Sequence, residues 1–327
     1  MTMGTSMQQP PSFKAHEVQL ETPVIAPWKA SSTGVDYVHE RASGVDGPDV
    51  LVTALVHGNE YSGAMALDAF LASGMRPRRG RITAAFCNVD AFDRFDPAQP
   101  DASRFVDEDF NRVWSVERLD GPGRSSELQR ARQIRPFVER ATHLLDLHSM
   151  HEPCEALLVT GLLQRNIDLG KSLQIGAQAI VDAGHADGVR MRDFGRFGEP
   201  DRPELALLLE AGQHWELSSL QTARNALMRF LLASCVIEGD DVPAGWMLRD
   251  LPSPEPITVT DRVIAKSMDF RFVEDYRGGE VIAKAGDVIA TDAGEPVRAP
   301  YDNCVLVMPS VRQLRPGVTT VRLGRRG

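Results

Sequence analysis

The 327-residue sequence predicts an α/β fold followed by a small all-β domain. Two observations support this prediction. Short apolar runs alternate with longer helix-like segments through most of the chain, and this texture changes near residue 250. Several of the runs are apolar throughout rather than alternating, as expected for strands whose sheet is covered by helices on both faces.

The elements of the α/β part follow one another in order. The predicted strands are Val50–Val56, Arg81–Val89, His143–Leu147, Glu155–Thr160 and Leu205–Leu209. The predicted helices are Tyr61–Ala72, Ser125–Arg140, Leu162–Ala183 and Leu217–Leu232. Two segments without a clear period, Val89–Val113 and Arg190–Pro203, are predicted as loops, and a loop as long as the first usually has a function.

The Pro-rich stretch PSPEPITVT marks the change of texture. Short β-like runs with Gly-containing turns follow it, for example GEVIAKAGDVIA. The sequence therefore predicts three parts: a flexible leader over residues 1–13, an α/β domain over 14–252 and a small all-β domain over 253–327.

The composition excludes several classes of protein. The chain has 43% hydrophobic and 25% charged residues, which is ordinary for a soluble globular protein. Its net charge of −9 argues against a nucleic-acid-binding role, and no apolar run approaches the roughly 18 residues of a membrane span. The N-terminus has no signal-peptide pattern, and the cysteines form no CxxC pair. We therefore expect a cytoplasmic protein with reduced thiols, in which a homo-oligomer such as a dimer is plausible.

Three polar side chains stand where apolar strands end. His57 follows LVTALV, His148 follows HLLDL, and Glu210 follows ELALLL. In open α/β sheets, functional sites form outside the carboxyl ends of the strands, where neighbouring loops converge. We therefore expect these side chains to meet in space despite their separation along the chain.

His57 and Glu60 form an HxxE pattern, HGNE, which has two interpretations. Taken singly, Glu60 is more simply a residue of the first helical turn, where a carboxylate is favourable, and each histidine a loop histidine. Together with His148, however, the pair supplies the two histidines and one carboxylate that a catalytic zinc ion uses. Asp146, two residues before His148, lies on the same side of its strand and is a candidate to orient it.

Four motifs in order give the chain a family resemblance. They are HGNE (His57–Glu60), RFVDEDFNR (Arg104–Arg112), DLH (Asp146–His148) and EAG (Glu210–Gly212). With these motifs, the chain resembles the succinylglutamate desuccinylase and aspartoacylase family, which is related to the zinc carboxypeptidases. The resemblance implies a mixed central β-sheet flanked by helices, with a small C-terminal all-β domain.

The resemblance also implies a site and a reaction. One zinc ion per chain would be held by three ligands: His57, Glu60 and His148. Glu210 would be the general base, Arg104 the group that stabilises the oxyanion, and Asn111 and Arg112 the pair that binds the substrate carboxylate.

The implied activity is a zinc-dependent deacylase that hydrolyses the amide bond of a small N-acyl amino acid or a related N-acylated amine. A metallocarboxypeptidase acting on short peptides is the alternative. A non-catalytic protein that keeps the fold is a third possibility, but it would lack a ligand or the base, and here all of them are present.

The chain departs from the family after EAG, where it continues as QHW. Arg196 and Arg202 are candidates for a second carboxylate anchor. Tyr301 is a candidate for the mouth of the site, although a residue of a structural turn is the simpler interpretation. His151 and His214 lie near the motifs, but nothing in the sequence fixes them as ligands.

Overall fold

The computed structural model describes residues 16–185 and 187–327, so the predicted leader over residues 1–13 lies outside the described residues. The α-helices there are α1 (Ser62–Ala72), α2 (Val89–Phe92), α3 (Val116–Asp120), α4 (Ser126–Arg140), α5 (Gln164–Ser172) and α6 (Leu217–Ala233). The strands there are β1 (Val38–Ala42), β2 (Asp49–Ala54), β3 (Arg81–Phe86), β4 (His143–Met150), β5 (Leu157–Val159), β6 (Gln178–Val181), β7 (Leu205–Gln213), β8 (Ile257–Ile264), β9 (Arg271–Phe272), β10 (Val281–Ile282), β11 (Val288–Asp292), β12 (Glu295–Arg298), β13 (Cys304–Val307) and β14 (Thr319–Arg326).

An 11-stranded sheet runs through the molecule in the order β1-β3-β2-β4-β7-β5-β6-β8-β14-β13-β10. Strands β3, β2, β4 and β7 are mutually parallel, whereas β5 is antiparallel to β7. A separate 3-stranded sheet, β12-β11-β9, lies in the C-terminal part. This architecture confirms the expected mixed sheet and the small C-terminal β structure.

Both faces of the central sheet are buried, which explains why its strands are apolar throughout. Val50 and Val52 of β2 pack into one core with helices α1 and α6, whereas Leu51 packs into a second core with α4. Each fully buried side chain of this kind contributes about 1.5–3 kcal/mol. The layers therefore hold the carboxyl ends of β2, β4 and β7 in fixed positions.

One predicted element is wrong, the helix over Leu162–Ala183. Helix α5 ends at Ser172, and the chain then forms β6. Between them, Gln174 and Gly176 have φ values of 50° and 73°, a left-handed conformation that ends a helix. The apolar run after Gly176 is then buried as a strand between β5 and β8. Strand β1, at the edge of the sheet, is absent from the predicted elements.

The C-terminal part is joined to the central sheet rather than set apart from it. Strand β8 pairs in parallel with β6, and a shared apolar cluster lies under this joint. The division into domains at residue 253 stays a proposal. In the described part of the chain, no helix is long and apolar enough to cross a membrane.

Candidate metal centre and active site

The candidate site lies at the carboxyl ends of β2, β4 and β7. His57 follows β2 by three residues, and His148 and Glu210 are direct neighbours in the register of β4 and β7. The three side chains therefore converge as the sequence predicts.

The turn after β2 brings a distant loop to the ligands. Leu55 has a φ of 57°, which turns the chain out of the strand. Gly58 then packs so closely against the loop before Arg104 that a Cβ there would lie 2.4 Å from the carbonyl oxygen of Ser103. Its N–H donates to the carbonyl oxygen of Arg104 at 3.0 Å. The glycine of HGNE thus places Arg104 beside the candidate ligands.

His57, Glu60 and His148 form the candidate metal centre. They are 4%, 3% and 3% exposed, and one ligand atom from each lies within 4.8 Å of the others. His57 Nδ1 lies 2.8 Å from Glu60 Oε1, and His148 Nδ1 lies 2.9 Å from Glu60 Oε2. Among the described residues, this is the only group of three such side chains that could hold a metal ion.

The far sides of both imidazoles meet carboxylates. His57 Nε2 lies 3.1 Å from Asp109 Oδ1, and His148 Nε2 lies 2.9 Å from Asp146 Oδ2. Both nitrogens of each ring therefore face a carboxylate. With a metal ion between the Nδ1 atoms and Glu60, Asp109 and Asp146 would accept the protons of the two Nε2 atoms. The residues present therefore fit a metal ion. The orienting contact expected for Asp146 is confirmed, and that carboxylate also accepts from Thr53 Oγ1 at 2.7 Å.

Glu60 does not lie in the first turn of the helix, so that expectation is wrong. Tyr61 is the N-cap, and α1 begins at Ser62. The Glu60 carboxylate is instead taken up by the two histidines and by the Ser149 N–H, at 3.2 Å. Although burial acts in the opposite direction, the adjacent imidazoles hold the pKa of Glu60 well below its ordinary value.

Glu210 lines the cavity with an unpaired carboxylate oxygen. Its Oε2 is buried and has no hydrogen-bond partner among the described residues. Burial, with the nearby Glu60 carboxylate, raises the pKa of Glu210 to about 8. Because a buried polar atom normally has a partner, this oxygen is where a reacting group would be expected.

Arg104 reaches the ligands directly. Its Nη1 donates to Glu60 Oε1 at 3.0 Å, and its Nη2 lies 3.0 Å from His57 Nε2 and 3.6 Å from Asp109 Oδ2. A guanidinium in this position is suited to stabilise negative charge that develops at the metal centre.

Asn111 and Arg112 lie further from the candidate ligands than Arg104 does. Asn111 Oδ1 accepts from the Met191 N–H at 2.9 Å, and Arg112 Nη1 donates to the Asn111 carbonyl oxygen at 2.8 Å. Arg112 Nη2 lies 4.0 Å from Asp109 Oδ2, which is also the oxygen near Arg104. Asp109 thus sits between the two arginines, although neither Asn111 nor Arg112 lines the cavity at the metal centre.

Arg196 and Arg202 are not placed to anchor a substrate, so that candidate role is wrong. Both pair with Glu204, which directly precedes β7. Six residues of extended strand separate Glu204 from Glu210, about 20 Å. Tyr301 also does not line the cavity. Its hydroxyl contacts Thr260 Oγ1, which agrees with the simpler interpretation of a structural turn residue.

A cavity of about 110 Å³ lies at the candidate metal centre. From the α/β part it is lined by His57, Glu60, Arg104, Ser149, Met150, His151, Glu152, Cys154 and Glu210, and from the C-terminal part by Arg277, Met308, Pro309 and Ser310. The sequence identified neither Asp109 nor the individual C-terminal residues that line the cavity. Asp109 stands inside the RFVDEDFNR motif, but its acidic run is equally typical of a surface ion-pair cluster.

The chain is similar in sequence to known proteins. The family model described as "Succinylglutamate desuccinylase/Aspartoacylase catalytic domain" matches residues 46–226. A curated relative, "Probable aspartoacylase" of Parasynechococcus marenigrum, is 36% identical over 107 residues, 31% of this chain and 33% of that protein. The match thus spans about a third of the relative's length.

Solved structures resemble the fold along most of the chain. The succinylglutamate desuccinylase of Chromobacterium violaceum has a TM-score of 0.63 at 19% identity, covering 90% of this chain and 89% of that one. The succinylglutamate desuccinylase/aspartoacylase of Rhodobacter sphaeroides has a TM-score of 0.62 at 17% identity, covering 86% and 87%. At such identities the likeness concerns the fold alone.

Proposed function

Because this chain belongs to the succinylglutamate desuccinylase/aspartoacylase family, we propose that it is a zinc-dependent deacylase that hydrolyses the amide of an N-acyl amino acid or a related N-acylated amine. The proposal rests chiefly on one observation: the unpartnered carboxylate oxygen of Glu210 lies in the same small cavity as the candidate ligands and Arg104. A base, an anion-stabilising cation and a metal centre are the groups that amide hydrolysis needs.

Zinc is the proposed ion because its preferred ligands are imidazole nitrogen and carboxylate oxygen, as offered by His57, Glu60 and His148. When bound there, it would polarise the scissile carbonyl and make water acidic enough to react near neutral pH. Asp109 and Asp146 keep the imidazoles in the tautomer that binds metal.

Glu210 and Arg104 carry the proton and the charge of the reaction. Glu210 takes the proton of the attacking water and later delivers it to the leaving nitrogen. Arg104 holds the carbonyl oxygen as negative charge develops on it, an effect that commonly amounts to about 10²–10³ in rate.

The substrate carboxylate would lie on the Asn111–Arg112 side of the site. The Arg112 guanidinium can offer two parallel hydrogen bonds to a carboxylate. On the other side, the C-terminal residues Met308 and Pro309 limit the cavity to about 110 Å³. A small acyl group fits such a space better than a peptide does, which favours the deacylase over the metallocarboxypeptidase.

The test is the Glu210→Gln variant. It should keep its metal and lose about 10²–10⁴ in kcat, because the amide cannot take the proton of water. Glu155→Gln, an exposed carboxylate close to the same site, is the matched control and should behave like the wild type. Turnover by Glu210→Gln at the wild-type rate would show that the base is wrongly assigned.

The substrate class is tested on the metal-loaded wild-type enzyme. We expect hydrolysis of some members of a panel of N-acetyl, N-formyl and N-succinyl amino acids, measured as release of free amine. Faster hydrolysis of unmodified dipeptides than of every panel member would favour the metallocarboxypeptidase instead.

A further inference from the structure

Two histidines outside the roles assigned above form a pair at the cavity. His151 follows the end of β4, and His214 follows the end of β7. Their rings meet edge to face, with centroids 4.7 Å apart. Gln213 Nε2 donates to the His151 carbonyl oxygen at 3.2 Å, which fixes the backbone of His151 between the strands that carry His148 and Glu210.

One side of the His151 ring is occupied by protein. Nδ1 lies 3.3 Å from Asp101 Oδ1 and 3.2 Å from His214 Nε2. Burial acts to raise the pKa of Asp101, but the hydrogen bond with His151 and the charge of Arg312 lower it to about 2. The ionised carboxylate can only accept, so the proton of the imidazole belongs on Nδ1.

The other side of the ring has no protein partner. His151 lines the cavity, and its Nε2 is buried without a hydrogen bond among the described residues. Burial lowers the pKa of His151, although the hydrogen bond with Asp101 acts in the opposite direction, and this favours the neutral ring with a single proton. With that proton on Nδ1, Nε2 presents a lone pair, and a buried acceptor of this kind needs a donor from elsewhere.

We propose that His151 Nε2 accepts a hydrogen bond from the N–H of the scissile amide and so positions the substrate. This inference rests on the proposed deacylase function. An N-acyl derivative of a primary amino acid offers two acceptors, its carbonyl and its carboxylate, and one donor, the amide N–H. Arg104 and Arg112 are the proposed partners of these two acceptors, and His151 would supply the acceptor that the N–H requires.

Two variants at His151 separate the contribution of Nδ1 from that of Nε2. In His151→Asn, the amide occupies the place of Nδ1, where it can still donate to Asp101, but no atom occupies the place of Nε2. In His151→Gln, the longer side chain puts a carbonyl oxygen near the place of Nε2. Each variant is assayed on an N-acetyl amino acid and on the matched ester, in which oxygen replaces the N–H.

On the amide, kcat/KM of His151→Asn should fall about tenfold below that of His151→Gln, the scale of one hydrogen bond. On the ester, the two variants should agree within about threefold, because the donor is absent. Metal content and the thermal midpoint should be equal in both, since a purely structural role would change those and not the amide-to-ester ratio.

Equal amide rates in the two variants, or an equal loss on the ester, would overturn the inference, because a buried water or simple packing would then satisfy Nε2. If either variant fails to fold, ¹⁵N NMR of the Glu210→Gln variant decides, because the wild type would hydrolyse the ligands during the measurement. The unprotonated His151 Nε2 resonance should shift on binding the N-acyl amino acid but not the ester, and an equal response to both overturns the inference. Hydrolysis of the amide by the wild type remains the separate test of the deacylase function.

Discussion

The two walls of the cavity are built in different ways. The metal-ligand wall consists of the candidate ligands His57, Glu60 and His148 at the ends of β2 and β4. Their side chains are buried and hydrogen-bonded to one another. The C-terminal wall consists of Arg277, Met308, Pro309 and Ser310, which lie in loops. Within the described ranges, the Arg277 guanidinium makes no ion pair. We therefore expect that changes in the loops alter the choice of substrate without disturbing the candidate metal centre, which the sheet holds in place.

The largest expected effect is at the metal-ligand wall. His148→Ala removes one of the three candidate ligands, so the metal should be lost and activity should fall by more than about 10³-fold. Elemental analysis of the purified protein measures the metal. His143→Ala, at the other end of β4, is the matched control and should keep it. Retention of stoichiometric metal by His148→Ala would remove this residue from the ligand set.

Gly58→Ala tests how the strand-end turn places Arg104. The added Cβ would lie 2.4 Å from the Ser103 carbonyl oxygen, so the loop must shift. We expect a loss of about 1–3 kcal/mol in the free energy of unfolding and about 10²-fold in kcat. Denaturant unfolding and steady-state kinetics measure both. Gly239→Ala meets no atom within 4 Å and should be nearly neutral, so equal behaviour of the two variants contradicts the prediction.

Asp109→Asn weakens the metal-ligand wall without removing a ligand. The amide no longer offers a charged acceptor to His57 Nε2, so metal affinity should fall about 10–100-fold. Titration against a chelating indicator measures the affinity. Asp107→Asn changes a neighbouring carboxylate that accepts from the Ser126 N–H, and it should leave the affinity unchanged. A similar loss in both variants would point to a general effect of charge.

The smallest effect is expected at the C-terminal wall. Met308→Ala enlarges the cavity, so the ratio of kcat/KM for a longer acyl chain to that for acetyl should rise about tenfold, the scale of one methylene. Metal content should stay the same. Met268→Ala, exposed and outside the cavity, is the control. A loss of metal in Met308→Ala would contradict the separation of the two walls.

Much of the fold could be predicted because local pattern and burial agree. The predicted strand over Val50–Val56 and helix over Ser125–Arg140 differ from β2 and α4 by one or two residues at their ends. The prediction failed at Leu162–Ala183, where helix α5 and strand β6 follow each other closely. Gly176 is the one residue between them that signals a break in the sequence.

The residues of the candidate site could be predicted where they belong to a sequence motif, but not where only the tertiary fold brings them to the site. HGNE and DLH put the ligands at strand ends, and the structure brings His57, Glu60 and His148 together. Asp109 could not be assigned to His57, because the contact depends on a loop that folds back across 52 residues of sequence. Met308 could not be assigned to the cavity either, because it reaches the site from the C-terminal part of the chain.

Strand β6, the segment that resembles a helix in the sequence, is also where the C-terminal part joins the central sheet. Ile180 and Val181 pair with Ile257 and Thr258, so β8 takes its parallel neighbour from the α/β part. A fragment that began at residue 253 would expose this edge of β8 to unwanted pairing. Calorimetry of the whole chain should therefore give one cooperative transition, with equal calorimetric and van't Hoff enthalpies.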